Sequence, residues 1–138
     1  MHNSQSWINY KVGMYIEWPF SFSMEDIRSF AKLSNDYNPI HLNYDFAKSK
    51  GFDSPLVYGV LLSSQMSRLI GQELPDKNSI LTTIKMDFVS PCFPDEKLIF
   101  TAEMINLSAS TYSFEFKCSI LRKSKILCRG IAGAVWKQ

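Results

Sequence analysis

The spacing of hydrophobic and polar residues changes its period part-way along the chain. In the first part, apolar or small residues recur at helical spacing, at Ile27, Phe30, Ala31 and Ser34. Just before them, Ser23 and Asp26 resemble a capping box, in which each side chain accepts a hydrogen bond from the other residue's backbone N–H. The pattern therefore predicts a short amphipathic helix over residues 24–34.

A polar break and a second short helix follow. Residues 35–39, with the sequence NDYNP, end the first helix because Asn and Asp favour turns and Pro39 cannot continue a helix. Beyond this break we expect a helix over residues 43–50. Asn43 is its predicted N-cap and Gly51 its C-terminal stop.

The most apolar part of the chain comes next. Residues 56–69 are apolar or small on nearly every side of a helix. A helix with so little polar surface is expected to be surrounded by other structure. Gly71 and Pro75 are predicted to end it, and we place this helix at the centre of the fold.

The remaining residues alternate with a period of two, which is typical of strands. Four strands are predicted, at residues 80–88, 98–104, 112–120 and 126–136. The short turn sequences between them favour an antiparallel meander. A buried helix followed by such a sheet predicts an α+β fold in which the sheet curls around the helix.

Composition limits the classes of protein that remain. The chain has 138 residues, 46% hydrophobic and 20% charged, so we expect one globular domain spanning residues 1–138. Its formal net charge is +2, and its basic residues are scattered along the sequence. A nucleic-acid-binding protein normally shows a basic stripe or block, so nucleic acid is not an expected partner.

The cysteines and the hydropathy indicate the compartment. Cys92, Cys118 and Cys128 are odd in number and have no C-x-x-C spacing, which argues against a disulfide framework or a zinc site. We expect three reduced thiols. The N-terminal residues do not resemble a signal peptide, and no apolar run is long enough to span a membrane. The sequence predicts a soluble cytoplasmic protein without a membrane partner.

The polar loop after the first helix holds the main candidates for chemistry. Asp36 and His41 lie on either side of a turn that Pro39 fixes, so both side chains can reach one cleft. A carboxylate and an imidazole in that arrangement can share the proton transfers of a single water molecule. The residues alone leave a second interpretation open, in which Asp36 belongs to a turn and His41 to a helix entry. The other histidine, His2, lies close to the terminus and is set aside.

Two longer segments resemble a known family. Residues 30–41 contain the pattern D-x-N-P-x-H, matched at Asp36, Asn38, Pro39 and His41. Residues 55–64, PLVYGVLLSS, resemble the pattern P-[IL]-V-H-G-M-L-L-A-S, and residues 71–80 continue the similarity. Both patterns are typical of the MaoC-like or hydratase 2 family, the (R)-specific enoyl-CoA hydratases with the hot-dog fold.

The resemblance implies a fold and an activity. The fold would be a long central helix wrapped by a curved antiparallel sheet. The enzyme would be a hydro-lyase that adds water across a trans-2-enoyl thioester, carried by CoA or by acyl carrier protein, to give an (R)-3-hydroxyacyl thioester. Asp36 and His41 fall on the catalytic dyad, with the acid and base roles not apportioned. Neither a cofactor nor a metal is implied.

Further site residues are implied by the same alignment. Gly59 falls where a backbone N–H polarises the thioester carbonyl at a helix N-terminus. The substrate-binding or oxyanion group comprises Gly59, Val60, Ser67 and Asn38, and the pocket is expected to include Tyr58 and Leu62.

The chain departs from the family pattern at two places next to these residues. Asn35 stands where the family usually has Gly, a tolerable change because Asn accepts a positive φ. Tyr58 replaces the usual His, and Val60 the usual Met. The change at Tyr58 is expected to alter the pocket wall and the choice of substrate.

Two other functions stay open at this stage. One is a thioesterase of the same fold, although such enzymes typically carry an acidic residue on the central helix and residues 56–69 contain none. The other is a binding protein that retains the fold without activity. For any of the three we expect a homodimer, since two copies can pair sheet edges and form the thioester cleft between them.

Overall fold

A computed structural model describes residues 9–73 and 78–137, and within them the chain forms one sheet of five antiparallel strands around a helix. The strands are β1 (Tyr15–Phe20), β2 (Ser79–Phe88), β3 (Leu98–Ser108), β4 (Ser113–Arg122) and β5 (Lys125–Trp136). Their order across the sheet is β1-β3-β4-β5-β2. The predicted α+β class is confirmed.

The first two helices begin and end as their sequences predict. Helix α1 spans Met24–Ser34 and has the capping box, with Ser23 and Asp26 each accepting from the other's backbone N–H. It ends at Asn35, whose φ of 59° lies in the left-handed region that Asn tolerates. Helix α2 spans Tyr44–Ser49, and the side chain of Asn43 accepts from the N–H of Phe46 at its N-terminus.

The central helix is shorter than its apolar segment. Helix α3 spans Gly59–Arg68 and continues into a π-helical turn at Leu69–Glu73, which includes Gly71. Residues 56–58 are not helical, because backbone hydrogen bonds from Leu56 to Ile40 and from Val57 to Cys92 hold them. Pro75, the other predicted stop, lies outside the described residues.

The prediction of a simple meander is wrong for β2, the first of the four predicted strands. Strands β3, β4 and β5 do pair in chain order, but β2 pairs with β5 at one edge and β1 pairs with β3 at the other. Residues 89–97 cross from β2 to β3, and this connection is too long to act as a tight hairpin. Strand β1 was not predicted, because it is short and contains Pro19, which edge strands tolerate.

The core lies between the inner face of the sheet and helix α3. It includes Phe114, Phe116 and Trp136 of the sheet together with Val57, Leu62, Met66 and Leu69 of the central segment. Leu61 is partly buried and packs against the same cluster. This arrangement holds the N-terminus of α3 close to the polar loop that follows α1.

Candidate active site

The loop after α1 is shaped by hydrogen bonds from its own side chains. The Ser34 hydroxyl donates to the carbonyl of Phe30 and accepts from the N–H of Asp36, at 2.7 and 3.2 Å. The Asp36 carboxylate accepts from the N–H of Asn38 at 3.1 Å, which forms an Asx turn. These bonds fix the backbone on both sides of Asp36, whose side chain is exposed.

His41 is held in a defined tautomer. It ends a single 3-10 turn, Pro39–His41, which Asn38 caps by accepting from the N–H of Ile40. The Nδ1 atom of His41 lies 2.7 Å from the carbonyl oxygen of Leu56. A carbonyl can only accept, so Nδ1 carries the proton and Nε2 of the neutral ring is an unprotonated acceptor. Such a nitrogen can take a proton from water.

Tyr58 touches both halves of the proposed dyad. Its ring stacks on the His41 imidazole, with centroids 3.9 Å apart and planes inclined by 26°. Its hydroxyl donates to the backbone carbonyl of Asp36 at 2.5 Å. The side chain is buried, and burial, followed by the nearby charge of Asp36, raises the pKa of the phenol. The hydroxyl therefore stays protonated and able to donate.

The N-terminus of α3 presents backbone N–H groups beside this histidine. Among the described residues no side chain caps this end, which begins at Gly59. The first-turn N–H groups are thus available to an oxygen atom, and the helix dipole favours negative charge there. The Phe88 ring packs directly on Gly59, where an added Cβ would lie 2.8 Å from the ring. Only glycine fits without moving that ring.

A cavity of about 290 Å³ brings these groups together. Its lining includes one titratable imidazole, that of His41, the helix terminus at Gly59 and the buried side chain of Leu62. The rest of its lining comes from Leu56, Val57, Phe88, Val89, Ser90, Pro91 and Cys92. Such a site is mostly apolar, with one base and one set of backbone donors, and suits an acyl thioester.

The other predicted site residues lie outside the lining of this cavity. Asp36 and Asn38 belong to the exposed loop. The backbone carbonyl of Asp36 accepts from the Tyr58 hydroxyl, and the backbone carbonyl of Asn38 accepts from the N–H of His41. Tyr58, expected in the pocket wall, is only 3% exposed and lies against the face of the imidazole. Val60 and Ser67 are exposed on α3, and Ser67 lies about 12 Å along the helix axis from Gly59.

A wider cavity of about 580 Å³ lies over strands β2 to β5. Its lining includes Lys85, Asn106 and Glu115 but none of the predicted site residues. We therefore place the chemistry at the smaller cavity beside His41.

Cys92 is the one thiol in the lining of the site cavity as the structure describes it. A hydrogen bond with Cys128 and burial both raise the pKa of the Cys92 thiol. Burial raises the pKa of Cys118 to about 12. Cys92 is therefore neutral at ordinary pH and unsuited to act as a nucleophile, since the thiolate is the reactive form.

Metal-binding clusters and membrane-spanning helices are both lacking in residues 9–73 and 78–137. No three His, Cys, Asp or Glu side chains of these residues are grouped so as to hold a metal ion. None of the helices in the same residues is long and apolar enough to cross a membrane.

Sequence comparison identifies the family. Residues 8–119 match the MaoC like domain. The chain belongs to the MaoC-like family. It is 38% identical to the (R)-specific enoyl-CoA hydratase of Aeromonas caviae over 94 residues, which cover 68% of this chain and 69% of the relative. It is 29% identical to a mitochondrial 3-hydroxyacyl-[acyl-carrier-protein] dehydratase of Arabidopsis thaliana over 129 residues, covering 91% and 76% of the two chains.

Comparison with solved structures confirms the predicted hot-dog fold of this MaoC-like chain. The (R)-hydratase from A. caviae involved in PHA biosynthesis superposes with a TM-score of 0.88 and 29% identity, over 94% of this chain and 98% of that one. R-hydratase PhaJ1 from Pseudomonas aeruginosa has the same fold, with a TM-score of 0.87 and 22% identity over 96% and 85% of the two chains.

Two contacts of this MaoC-like site were not predicted. The first is the Leu56 carbonyl that sets the tautomer of His41, a backbone atom that leaves no signature in sequence. The second is Phe88, which ends the alternating pattern of β2 but meets Gly59 only through the fold. The sequence places the aromatic residue Phe88 at the end of a strand, just before Ser90-Pro91, but it does not indicate that Phe88 contacts Gly59.

Proposed function

We propose that this protein is an (R)-specific enoyl-thioester hydratase, which in the reverse direction is a 3-hydroxyacyl-thioester dehydratase. The observation that carries this proposal is that His41, whose Nδ1 is bonded to the Leu56 carbonyl and whose Nε2 is left to act as the base, lies with the open helix terminus at Gly59 on one cavity. The first supplies a base and the second supplies donors for a thioester oxygen. Hydration of a conjugated thioester needs both.

The reaction follows from these two groups. The Gly59 N–H binds the thioester carbonyl and draws electron density from the double bond. His41 takes a proton from water as the water oxygen bonds to the β-carbon. The enolate that forms is stabilised at the helix N-terminus, where the dipole favours negative charge. The proton that His41 took from water then passes to the α-carbon, directly or relayed by the Asp36 carboxylate, and both side chains return to their starting states.

Water addition by this route uses only proton transfers, so we propose that the enzyme needs no cofactor. Dehydration is the same sequence reversed. The named relatives support both directions, since one is an enoyl-CoA hydratase and another a 3-hydroxyacyl-[acyl-carrier-protein] dehydratase. The proposed substrate is accordingly an acyl thioester of CoA or of acyl carrier protein.

Thioester hydrolysis, the second candidate, has less support at this site. Helix α3 has the sequence GVLLSSQMSR and contains no carboxylate to activate water. The Cys92 thiol beside the cavity has a raised pKa and stays neutral. Neither a carboxylate on the central helix nor a cysteine nucleophile is therefore present to support hydrolysis at this cavity.

We also propose that the enzyme is a homodimer that pairs its β2 edges. In the described part of the chain, β2 pairs only with β5 and exposes a long edge without proline. Ile84 and Phe88 are 45% and 52% exposed, on the strand that packs against α3, and Val60 of α3 is 69% exposed. Apolar groups on an unpaired edge favour another copy of the strand.

Two further properties are proposed for the whole chain. We treat residues 1–138 as one MaoC-like domain, because the strands of a single sheet run from Tyr15 to Trp136. We also propose a cytoplasmic location, in keeping with three cysteines that are all free and buried.

The direct test of the activity is to incubate the protein with crotonyl-CoA and follow the loss of enoyl-thioester absorbance, with thiol release measured in parallel. Absorbance loss without thiol release, and a product that elutes as the (R)-3-hydroxy enantiomer on a chiral column, is the expected result. Thiol release without hydration would instead identify a thioesterase. Carrier-protein thioesters tested in the same way distinguish the two carriers.

A further inference from the structure

We propose that Tyr58 is a positioning residue that sets the placement of Asp36 relative to His41. The inference rests on the proposed function, because it concerns the same two groups. The residues come from different parts of the chain: Asp36 and His41 flank the polar loop, while Tyr58 immediately precedes helix α3. A single side chain from the central segment thus contacts both ends of that loop.

Three contacts fix the Tyr58 side chain. The Tyr58 ring stacks on the His41 imidazole, with ring centroids 3.9 Å apart. The Phe30 ring of helix α1 packs against Tyr58 at 4.8 Å. The hydroxyl reaches past both rings to the carbonyl of Asp36, 2.5 Å away. The Tyr58 side chain is held both at its ring and at its hydroxyl, so it has little conformational freedom. It therefore holds His41 and the backbone of Asp36 in fixed positions.

The hydroxyl bond acts on the backbone of Asp36 and not on its carboxylate. The carboxylate remains engaged with the N–H of Asn38, and the backbone N–H of Asp36 with Ser34. The loop is otherwise exposed from Lys32 to Pro39. The Tyr58 bond therefore ties the Asp36 end of this exposed turn to the buried central segment.

Tyrosine is suited to both contacts where the family usually has histidine. A phenol ring presents its flat face to the imidazole and its hydroxyl at the far end, in line with the ring axis. An imidazole at this position could stack, but it is shorter and lacks that terminal hydroxyl. Phenylalanine keeps the stack and loses only the bond to Asp36, which makes Tyr58→Phe the informative change.

The position of Tyr58 predicts which kinetic parameter changes. The side chain is 3% exposed and does not belong to the cavity lining, so it makes no direct contact with substrate in the cavity. Loss of the Tyr58 hydroxyl should misplace Asp36 without weakening substrate binding. We expect kcat of Tyr58→Phe to fall about tenfold with KM changed less than about twofold, since small misplacements of reacting groups are costly.

A matched control is available on strand β1. The Tyr15 hydroxyl donates to the Glu17 carboxylate at 2.8 Å, and the side chain is exposed away from the site. Tyr15→Phe therefore removes a hydrogen-bonded hydroxyl of the same kind. We expect its kcat and KM to stay within about twofold of the wild-type values.

A double-mutant cycle separates positioning from a loss of folded protein. Tyr58→Phe is compared in the wild-type and in the Asp36→Asn background. The hydration rate of each variant is divided by its concentration of folded protein, which circular dichroism measures. If Tyr58 acts through Asp36, its effect should shrink to less than about twofold once the carboxylate is gone. If Tyr58 had a merely structural role, Tyr58→Phe would lower the hydration rate by the same factor in both backgrounds.

Several outcomes overturn the inference. Unchanged kcat in Tyr58→Phe does so, and so does a tenfold loss that persists in the Asp36→Asn background. Tyr58→Leu, which removes the stack as well, should lose more activity than Tyr58→Phe, and equal losses also contradict the two-contact account. Failure of the proposed function is distinguishable, because the wild-type protein itself would then show no hydration of CoA or carrier-protein thioesters.

Discussion

At the scale of single residues, the chemistry depends on backbone atoms as much as on side chains. The carbonyl of Leu56 decides which nitrogen of His41 is free, and the N–H groups at the start of α3 form the electrophilic half of the proposed site. The sequence predicts the side chains Asp36 and His41 through one motif. It cannot predict the Leu56 carbonyl, since any residue at that position supplies the same atom.

The contact between Gly59 and Phe88 leads to a prediction about the oxyanion donors. Gly59→Ala would place a methyl group 2.8 Å from the Phe88 ring, so the ring or the helix terminus must move. We expect kcat/KM for hydration to fall by about a hundredfold, as for other small displacements of catalytic groups. Steady-state assays on crotonyl-CoA measure this directly.

Gly71→Ala is the matched control for that change. An added Cβ at Gly71 meets nothing within 4 Å, so the helix tolerates it, and its activity should stay within about twofold of wild type. If Gly59→Ala were as active as Gly71→Ala, the helix terminus would not be the carbonyl-binding site.

At the scale of elements, local sequence signals predict the bounds of the first helix better than the order of the strands in the sheet. The capping box and Asn35 determine both ends of α1 through contacts within a few residues, so its bounds follow from sequence. Strand order depends on contacts between distant segments, such as the pairing of residues 79–88 with residues 128–136, which no local pattern reports. This is why residues 80–88 were identified as a strand while their pairing with β5 was not.

The cap of α1 can be tested on its own. Ser23→Ala removes the acceptor for the Asp26 N–H, and we expect the free energy of unfolding to fall by about 1 kcal/mol. Denaturant titration measures the change. Ser29→Ala, at an exposed position within the same helix, is the control and should change stability by less than about 0.5 kcal/mol. Equal effects from the two would show that the cap is not what stabilises α1.

At the scale of the whole molecule, the β2 edge of the sheet is the one suited to pairing with a second copy of the chain. Strand β1 is short and carries Pro19, which discourages further pairing. Strand β2 is longer, exposes Ile80, Ile84 and Phe88, and ends at the cavity beside His41. The proposed dimer would cover this edge and the open side of the site together.

The dimer prediction is tested at Ile84. We expect light scattering to give about twice the chain mass of 15.9 kDa at micromolar concentration. Ile84→Lys puts a charge on the edge and should lower both the measured mass and the hydration rate. Ile126→Lys changes a residue that is equally exposed, 45%, but lies on β5, and should alter neither. A monomeric wild-type protein would contradict the proposal.

The central claim is that Asp36 and His41 carry out hydration together. Its most direct test is the rate of crotonyl-CoA hydration by Asp36→Asn and His41→Ala, with Asp53→Asn, an exposed loop carboxylate, as control. Both dyad variants should lose activity by at least about a hundredfold while the control keeps it, given the usual size of acid–base contributions. Full activity in either variant, or a wild-type protein inactive on CoA and carrier-protein thioesters of several chain lengths, would contradict the account.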